Sequence, residues 1–520
     1  MKYSKLLLLA VLFSPLFTNC DDFNDQTVES VDAGSADFTK FVAVGNSLAA
    51  GFQSNALYPE GQAYSYPNLL SQAFRVAAFK QPEIGQGYGD RVQIADFSNP
   101  AAPVTTTLTL VPGVLPTQPE GGYQNLGIPG AVLSDFLGNI KTDALGRITT
   151  YSQRFASSPA YAYVLGTTPT PISTYFAAQN PTFATFWLGN NDILGYVTSG
   201  GLRAFTSPTE FQTEFTAAIT NLLGTNAKAA VANIPGVTSI PFATFVGPQF
   251  KAILTANSIP EIFVQKSFTP SNPAVNMAEN RTPAAAVPTA YLGMPDSAMV
   301  LLTSQGMLAF LGASDALPAD AAKVTAIVGY WKGFLVSAGA VPNKATADAM
   351  TNAQVEQTLT GVTYSLYAST FGGTPTEAAV TLGGYSFDFT KQFGLDPSNP
   401  FPNQFILDKN EINIAKAVTN IYNTIIAGVV SSQPTKLALV NMNTIFSDIV
   451  SAGFITSDGI TLAPRLGSLF SFDGVHPSNR GHAILANEFI KVINTKFGSS
   501  LELIRISNIP QGIPLADDPS

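Results

Sequence analysis

Four short runs in which apolar residues predominate recur along the chain: 41–44 (FVAV), 183–188 (FATFWL), 229–234 (AAVANI) and 437–440 (LALV). None alternates strictly between apolar and polar positions, so each reads as a strand buried on both faces. Between them, apolar residues recur every three or four positions, the period of a helix with one buried face. One such stretch begins near Pro67, with proline in the first turn where a missing N–H costs nothing, and includes Leu69, Leu70 and Phe74. A second opens on the capping sequence Ser207-Pro-Thr-Glu210, lines up Phe211, Phe215, Ile219 and Leu222, and stops at Gly224. A third is capped by Asp408 with Glu411 and striped by Ile414, Val418, Ile421 and Ile425. The last covers Asn479–Phe497, turns Leu485, Phe489 and Val492 inward, and ends at Gly498. Strands alternating with helices predict an α/β fold with a mostly parallel sheet. No repeat with the period of a solenoid or propeller is present.

The pattern loosens between residues 241 and 400, where Pro, Gly, Thr and Ala accumulate, and this stretch reads as an insertion into the α/β domain. Residues 298–313 (AMVLLTSQGMLAFLGA) are interrupted by polar groups too often to span a bilayer. They are expected to form the insertion's own core; an apolar lid or acyl-chain wall is the sharper reading. The aromatic cluster Tyr58, Tyr64 and Tyr66 is expected in the core, with the wall of a pocket as the alternative.

Composition narrows the possibilities. Hydrophobic residues make up 46% of the 520 and charged residues 12%, which excludes a disordered acidic chain. A net charge of −9 without clusters of Lys and Arg argues against nucleic-acid binding. The one cysteine, Cys20, permits no intrachain disulfide. With only His476 and His482 beside it, a zinc site is not expected, and carboxylate-bound calcium is the metal chemistry left open.

Lys2 and Lys5 precede an apolar stretch, 6–17, that is too short to cross a bilayer and ends in LFTNC followed by Asp21 and Asp22. This resembles a bacterial lipoprotein signal, although Asn19 stands where a small residue is usual. The resemblance implies a signal peptide over 1–19, a lipidated Cys20, and attachment of the domain to the cell envelope as an outer-membrane lipoprotein. A cleaved secretory signal and an uncleaved anchor are the alternatives. The acidic pair resembles the surface-export tags of Bacteroidota lipoproteins. Residues 20–36 are expected to be a lipidated start and polar tether, and 501–520 a C-terminal tail.

Four short blocks carry the candidate chemistry: Gly45-Asn46-Ser47-Leu48 after the first strand, Asn125-Leu-Gly-Ile-Pro-Gly130, Gly189-Asn190-Asn191-Asp192 after the strand that closes at Leu188, and Asp473-Gly-Val-His476-Pro before the last helix. A serine hydroxyl becomes a nucleophile when a base takes its proton, and imidazole is suited to neutral pH. That base needs an acceptor at its other nitrogen, and Asp473 lies one turn before His476. A developing oxyanion needs donors. Glycine lets a backbone N–H come close, which suits Gly130; an asparagine amide suits Asn191; the Ser47 amide is the third. Ligands of parallel α/β sheets gather at the carboxyl ends of strands, where Ser47 and Asn191 both fall.

In this order the blocks are similar to those of the GDSL, or SGNH, hydrolase family, whose four blocks carry Ser, Gly, Asn and His. The resemblance implies a flavodoxin-like three-layer α/β/α fold over 37–500, interrupted by the insertion at 241–400. It implies Ser47 as nucleophile, Asp473 and His476 completing the triad, an oxyanion hole of Ser47, Gly130 and Asn191, and no metal or organic cofactor. The family usually has Asp where this chain has Asn46. The expected activity is hydrolysis of carboxylic esters, with lipid esters or acylated glycans as substrates. A surface lipoprotein that keeps the fold and acts as a binding module without catalysis is the other reading. His482 is given no chemical role, and 85–89 (GQGYG) lacks the spacing of a nicotinamide-binding loop.

Overall fold

Five strands, β1 Phe41–Gly45, β2 Asn125–Gly127, β3 Phe183–Trp187, β4 Lys228–Ala232 and β5 Leu437–Val440, form the central sheet. They lie in the order β5-β4-β3-β1-β2 and every neighbouring pair is parallel. Read from the other edge this is 2-1-3-4-5, a doubly wound order whose direction of winding reverses between β1 and β3. The computed structural model describes residues 31–96, 104–113, 118–144, 148–201, 203–265, 285–292, 298–337, 339–371, 387–456 and 458–516. The signal segment 1–19, Cys20 and the first part of the tether lie outside the described residues.

Side chains of β3 alternate between two helical layers. Six helices matter here: α1 Ser47–Ala50, α2 Tyr66–Ala73, α3 Asn191–Thr198, α4 Pro208–Gly224, α5 Lys409–Ser431 and α6 Asn479–Phe497. Trp187 meets Tyr66 and Phe489 with ring centroids 5.6 and 6.1 Å apart, and Phe183 meets Phe497 at 5.6 Å, so α2 and α6 cover one face. Phe186 points the other way, onto Phe215 of α4 at 6.1 Å, and Phe211 of α4 stacks on Tyr422 of α5 at 3.8 Å. Each of these fully buried aromatics contributes roughly 1.5–3 kcal/mol by leaving water. Tyr66 and Tyr58 are buried, in keeping with the core expected for them; Tyr64 is half-buried.

The caps act as the sequence predicts. Ser207 Oγ accepts the Glu210 N–H (3.2 Å), and Asp408 and Glu411 exchange two bonds of 2.9 Å. Two stripes shift. In α5 the buried line runs through Ile414, Val418, Tyr422 and Ile426, because a stepping of four residues holds one face; Ile421 and Ile425 are half-buried. In α6, Ile490 and Ile493 are buried and Val492 half-buried. β2 was not expected as a strand: its three residues include only one apolar side chain, and its order comes from pairing with β1 over 43–45.

The first and last described segments both engage the domain. Residues 31–36, expected as tether, dock instead on the end of α6, where the Ser35 N–H reaches the Phe497 carbonyl at 2.7 Å and Ala36 is buried. Residues 501–516 also pack: Leu501, Ile506 and Ile509 join the core, and Ile94 exchanges backbone hydrogen bonds with Pro514 and Ala516.

The insertion has a hydrophobic core of its own, from Val246 to Ile406, with Trp331, Leu335, Phe393 and Phe401 buried in it. A short strand, Ala298–Val300, pairs antiparallel with Ile406–Asp408. Ala298 and Val300 face this second core, while Met299, Leu301 and Leu407 face the core of the sheet domain. Residues 298–313 therefore stitch the two cores together.

Candidate active site

Ser47 stands where β1 stops. Gly45 permits the turn, since a Cβ there would lie 2.6 Å from the Ala49 Cβ. Asn46 caps α1 by accepting the Leu48 N–H on Oδ1 at 3.1 Å, a bond that an aspartate could equally accept. An amide at position 46 therefore serves the cap as well as a carboxylate would. Ser47 is the first residue of α1 and is nearly buried.

The second block lies against the first. The Ile128 N–H donates to the Gly45 carbonyl at 3.1 Å, and a Cβ on Gly127 would overlap the backbone of Ala49 and Ala50. Pro129 and Gly130 then make a tight turn closed by the Ala131 N–H on the Ile128 carbonyl (3.0 Å). Gly130 has φ +85°, the left-handed value a type II turn requires at this position, and nothing crowds it. Conformation, not space, selects glycine here.

Asn191 opens α3, directly past β3, and its Nδ2 donates to the Ala131 carbonyl at 2.8 Å. One of its two amide hydrogens is thereby fixed and the other is left for a ligand. Asp192 ties the same two segments together, accepting from the Leu133 N–H (2.9 Å) and the Thr206 hydroxyl (2.6 Å). Burial pushes its carboxyl above the usual range, against the opposing effects of Lys141 and these two hydrogen bonds.

The fourth block completes the cluster. His476 Nε2 lies 2.8 Å from Ser47 Oγ, and its Nδ1 lies 2.9 Å from Asp473 Oδ2. Asp473 Oδ1 accepts the N–H groups of Val475 (2.9 Å) and His476 (2.8 Å), and Oδ2 also accepts the Asn55 N–H (2.9 Å). Burial, the largest influence on this carboxyl, acts to raise its pKa. His476 and these donors outweigh it and hold the pKa below the ordinary value. An ionised carboxylate only accepts, so Nδ1 carries the imidazole proton and Nε2 is left bare to accept from the Ser47 hydroxyl. Gly474, at φ +71°, allows the turn between acid and base; a Cβ there would lie 2.8 Å from the Phe242 nitrogen.

Ser47, Asn191, Asp473 and His476 thus converge from blocks far apart in the sequence. Gly130 adjoins them through Ala131 but sits exposed on its turn. Neither the Ser47 N–H nor the Gly130 N–H has an acceptor among the described residues, as donors held for an oxyanion require.

Sequence reasoning missed a supporting layer. The loop after α1 holds Ser54 and Asn55 in left-handed backbone (φ +49° and +64°). Ser54 exchanges hydrogen bonds with Ser471 and Phe472 (2.9 and 3.3 Å), and Asn55 gives its amide to Asp473. Phe52 packs its ring 4.9 Å from that of His476. The usable signal was Asn55 itself, a residue type that tolerates this conformation. His482 is fully buried in α6, and neither ring nitrogen has a partner among the described residues. Burial, reinforced by His476, pushes its pKa down to about 3, so the ring is neutral.

A small cleft opens beside Ser47, between Asn190 and Asn191 on one side and Val475 and His476 on the other, with a volume of about 40 Å³. A larger groove of about 680 Å³ lies beyond Asp473 and includes Phe242, Phe245, Leu302, Arg465 and Arg480. Within 241–400, Phe242, Phe245, Gln249, Leu302, Thr303 and Gln305 line this groove, and no described residue of that stretch lines the cleft. Among the described residues no three His, Cys, Asp or Glu side chains gather as metal ligands, and no helix is long and apolar enough to cross a membrane. Comparison of the chain with protein-family models, curated proteins and solved structures finds no match.

Proposed function

We propose that this chain is a serine hydrolase of carboxylic esters, of the GDSL, or SGNH, kind. The observation that carries the reading is the 2.8 Å contact between Ser47 Oγ and His476 Nε2, on a histidine whose far nitrogen is held by Asp473. In the reaction Ser47 Oγ attacks the ester carbonyl while His476 Nε2 takes the hydroxyl proton. The carbonyl oxygen becomes an oxyanion and is met by the N–H groups of Ser47 and Gly130 and by the free amide hydrogen of Asn191. Collapse of the adduct breaks the bond to the alcohol oxygen, which leaves with the proton from His476. Water, deprotonated by the same nitrogen, then cleaves the acyl-serine and restores the hydroxyl. Asp473 stays ionised throughout, fixing the tautomer and supporting the imidazolium. The reading includes an envelope location, with Cys20 as the lipidated residue.

The test is labelling with a fluorophosphonate, which reacts with an activated serine. Adduct on Ser47, abolished in Ser47→Ala, is expected. Folded protein that takes no label and hydrolyses no ester would exclude the enzyme reading and leave a binding module. Incorporation of labelled palmitate in cells, lost in Cys20→Ala, tests the anchor.

A further inference from the structure

We infer that the acyl group accepted at Ser47 is about two carbons long, so that the substrates are acetyl esters and not esters of fatty acids. This rests on the hydrolase reading above and specifies its substrate class.

The cleft beside Ser47 has a volume of about 40 Å³. On this measure about 10–15 Å³ holds one water molecule, and a cavity of about 150 Å³ binds a benzene ring. The space therefore takes a group of a few heavy atoms, such as an acetyl, and no long chain. Its walls are apolar: Leu48, Leu194, Val237, Ile240, Phe446 and Val475. Val237, Ile240 and Phe446 are also buried members of the core of the sheet domain. They are packed from behind, so they cannot withdraw to admit a chain without disturbing that core.

The other apolar surface near the site does not border the serine. Leu302, Thr303 and Gln305 of the insertion's apolar stretch line the larger groove at Asp473, but neither Ser47 nor His476 borders that groove, and no described residue of 241–400 lines the cleft. The acyl end of the ester, not the alcohol end, belongs in the cleft. The leaving oxygen must stay at His476 Nε2 to receive its proton, and a hydroxyl-rich alcohol placed among these walls would lose its hydrogen bonds to water.

The experiment uses the purified protein and p-nitrophenyl acetate, butyrate and octanoate. Apolar pockets discriminate by roughly tenfold or more per methylene, so kcat/KM is expected to fall at least about tenfold from acetate to butyrate and further to octanoate. A flat series, or one that rises with chain length, overturns the inference. The isomeric pair octyl acetate and methyl nonanoate fixes the orientation. Octyl acetate is expected to be the better substrate, and a preference for methyl nonanoate overturns the assignment of the cleft to the acyl group. Ile240→Ala, with Phe446→Leu as a milder second variant, is expected to raise the octanoate-to-acetate ratio about tenfold; an unchanged ratio in both folded variants counts against these walls. Fluorophosphonate labelling of Ser47 together with an octanoate preference overturns this inference alone. Absence of both labelling and ester hydrolysis removes the hydrolase reading with it.

Discussion

The side-chain amide of Asn191 donates to the backbone carbonyl of Ala131 at 2.8 Å, so the turn that carries Gly130 also aims the neighbouring amide donor. Two of the three candidate oxyanion donors are therefore coupled through one hydrogen bond. Asn191→Ala is expected to lower kcat on p-nitrophenyl acetate by roughly 10²–10³-fold, with a smaller change in KM. Asn191→Asp should be no better, because a carboxylate can neither donate to Ala131 nor stabilise a second negative charge. Steady-state kinetics on the two variants checks this.

Replacing Asp473 by Asn puts an amide against His476 Nδ1. An amide that donates there traps the imidazole with its proton on Nε2, facing Ser47, and kcat is expected to fall by roughly 10³–10⁴-fold. The same residue shapes acid stability. Its folded pKa is below the ordinary 3.8, so its stabilising contribution is complete above that value and disappears as pH falls through the lowered one. Denaturation midpoints measured between pH 5 and pH 2 should decline less steeply for Asp473→Asn than for the parent.

Asn55 serves the site through its backbone, at φ +64°. Asn55→Gly is expected to keep activity, because glycine adopts this conformation freely. Asn55→Val should destabilise by about 1–2 kcal/mol and lower kcat, as a β-branched residue resists it. Thermal melting and kinetics on the pair distinguish a backbone role from a side-chain one.

His482 is expected to make the protein acid-sensitive well above the range of carboxylates. Its folded pKa is about 3 and its ordinary value 6.5, so across that window the unfolded chain binds a proton that the folded one refuses. Stability is lost as pH falls, by about 2 kcal/mol at pH 5. His482→Phe fills similar space, sacrifices no hydrogen bond to a described residue, and should flatten the decline in urea midpoints between pH 7 and pH 5.

The second core offers a separate test. Trp331→Ala should cost about 3–5 kcal/mol, felt within the insertion. Because the described part of the insertion does not line the cleft, fluorophosphonate labelling of Ser47 should survive at temperatures where the insertion has already become sensitive to protease.

Much of this arrangement was legible in the sequence. β1, β3, β4 and β5 announce themselves because a strand covered on both faces must be continuously apolar. Ser47 and Asn191 could be placed together because each directly follows such a strand. β2 was hidden: three residues with an asparagine and a glycine carry no pattern, and their order is imposed by the neighbouring strand. The support that Asn55 gives Asp473 was hidden for a related reason, since it is made by a peptide N–H, which every residue but proline possesses. The docking of residues 31–36 (VDAGSA) was obscured because their side chains are small and form no periodic stripe. Backbone bonding to the end of α6 and the packing of Val31, Ala33 and Ala36 hold them.

Ser47 and His476, the proposed nucleophile and base, are separated by 429 positions along the chain. During synthesis the serine leaves the ribosome with nearly the whole protein still to be made, and the imidazole arrives only with the final helix. On the hydrolase reading proposed above, a chain truncated before His476 is consequently expected to be inert toward esters. Contacts this remote raise the contact order of the domain, which slows folding.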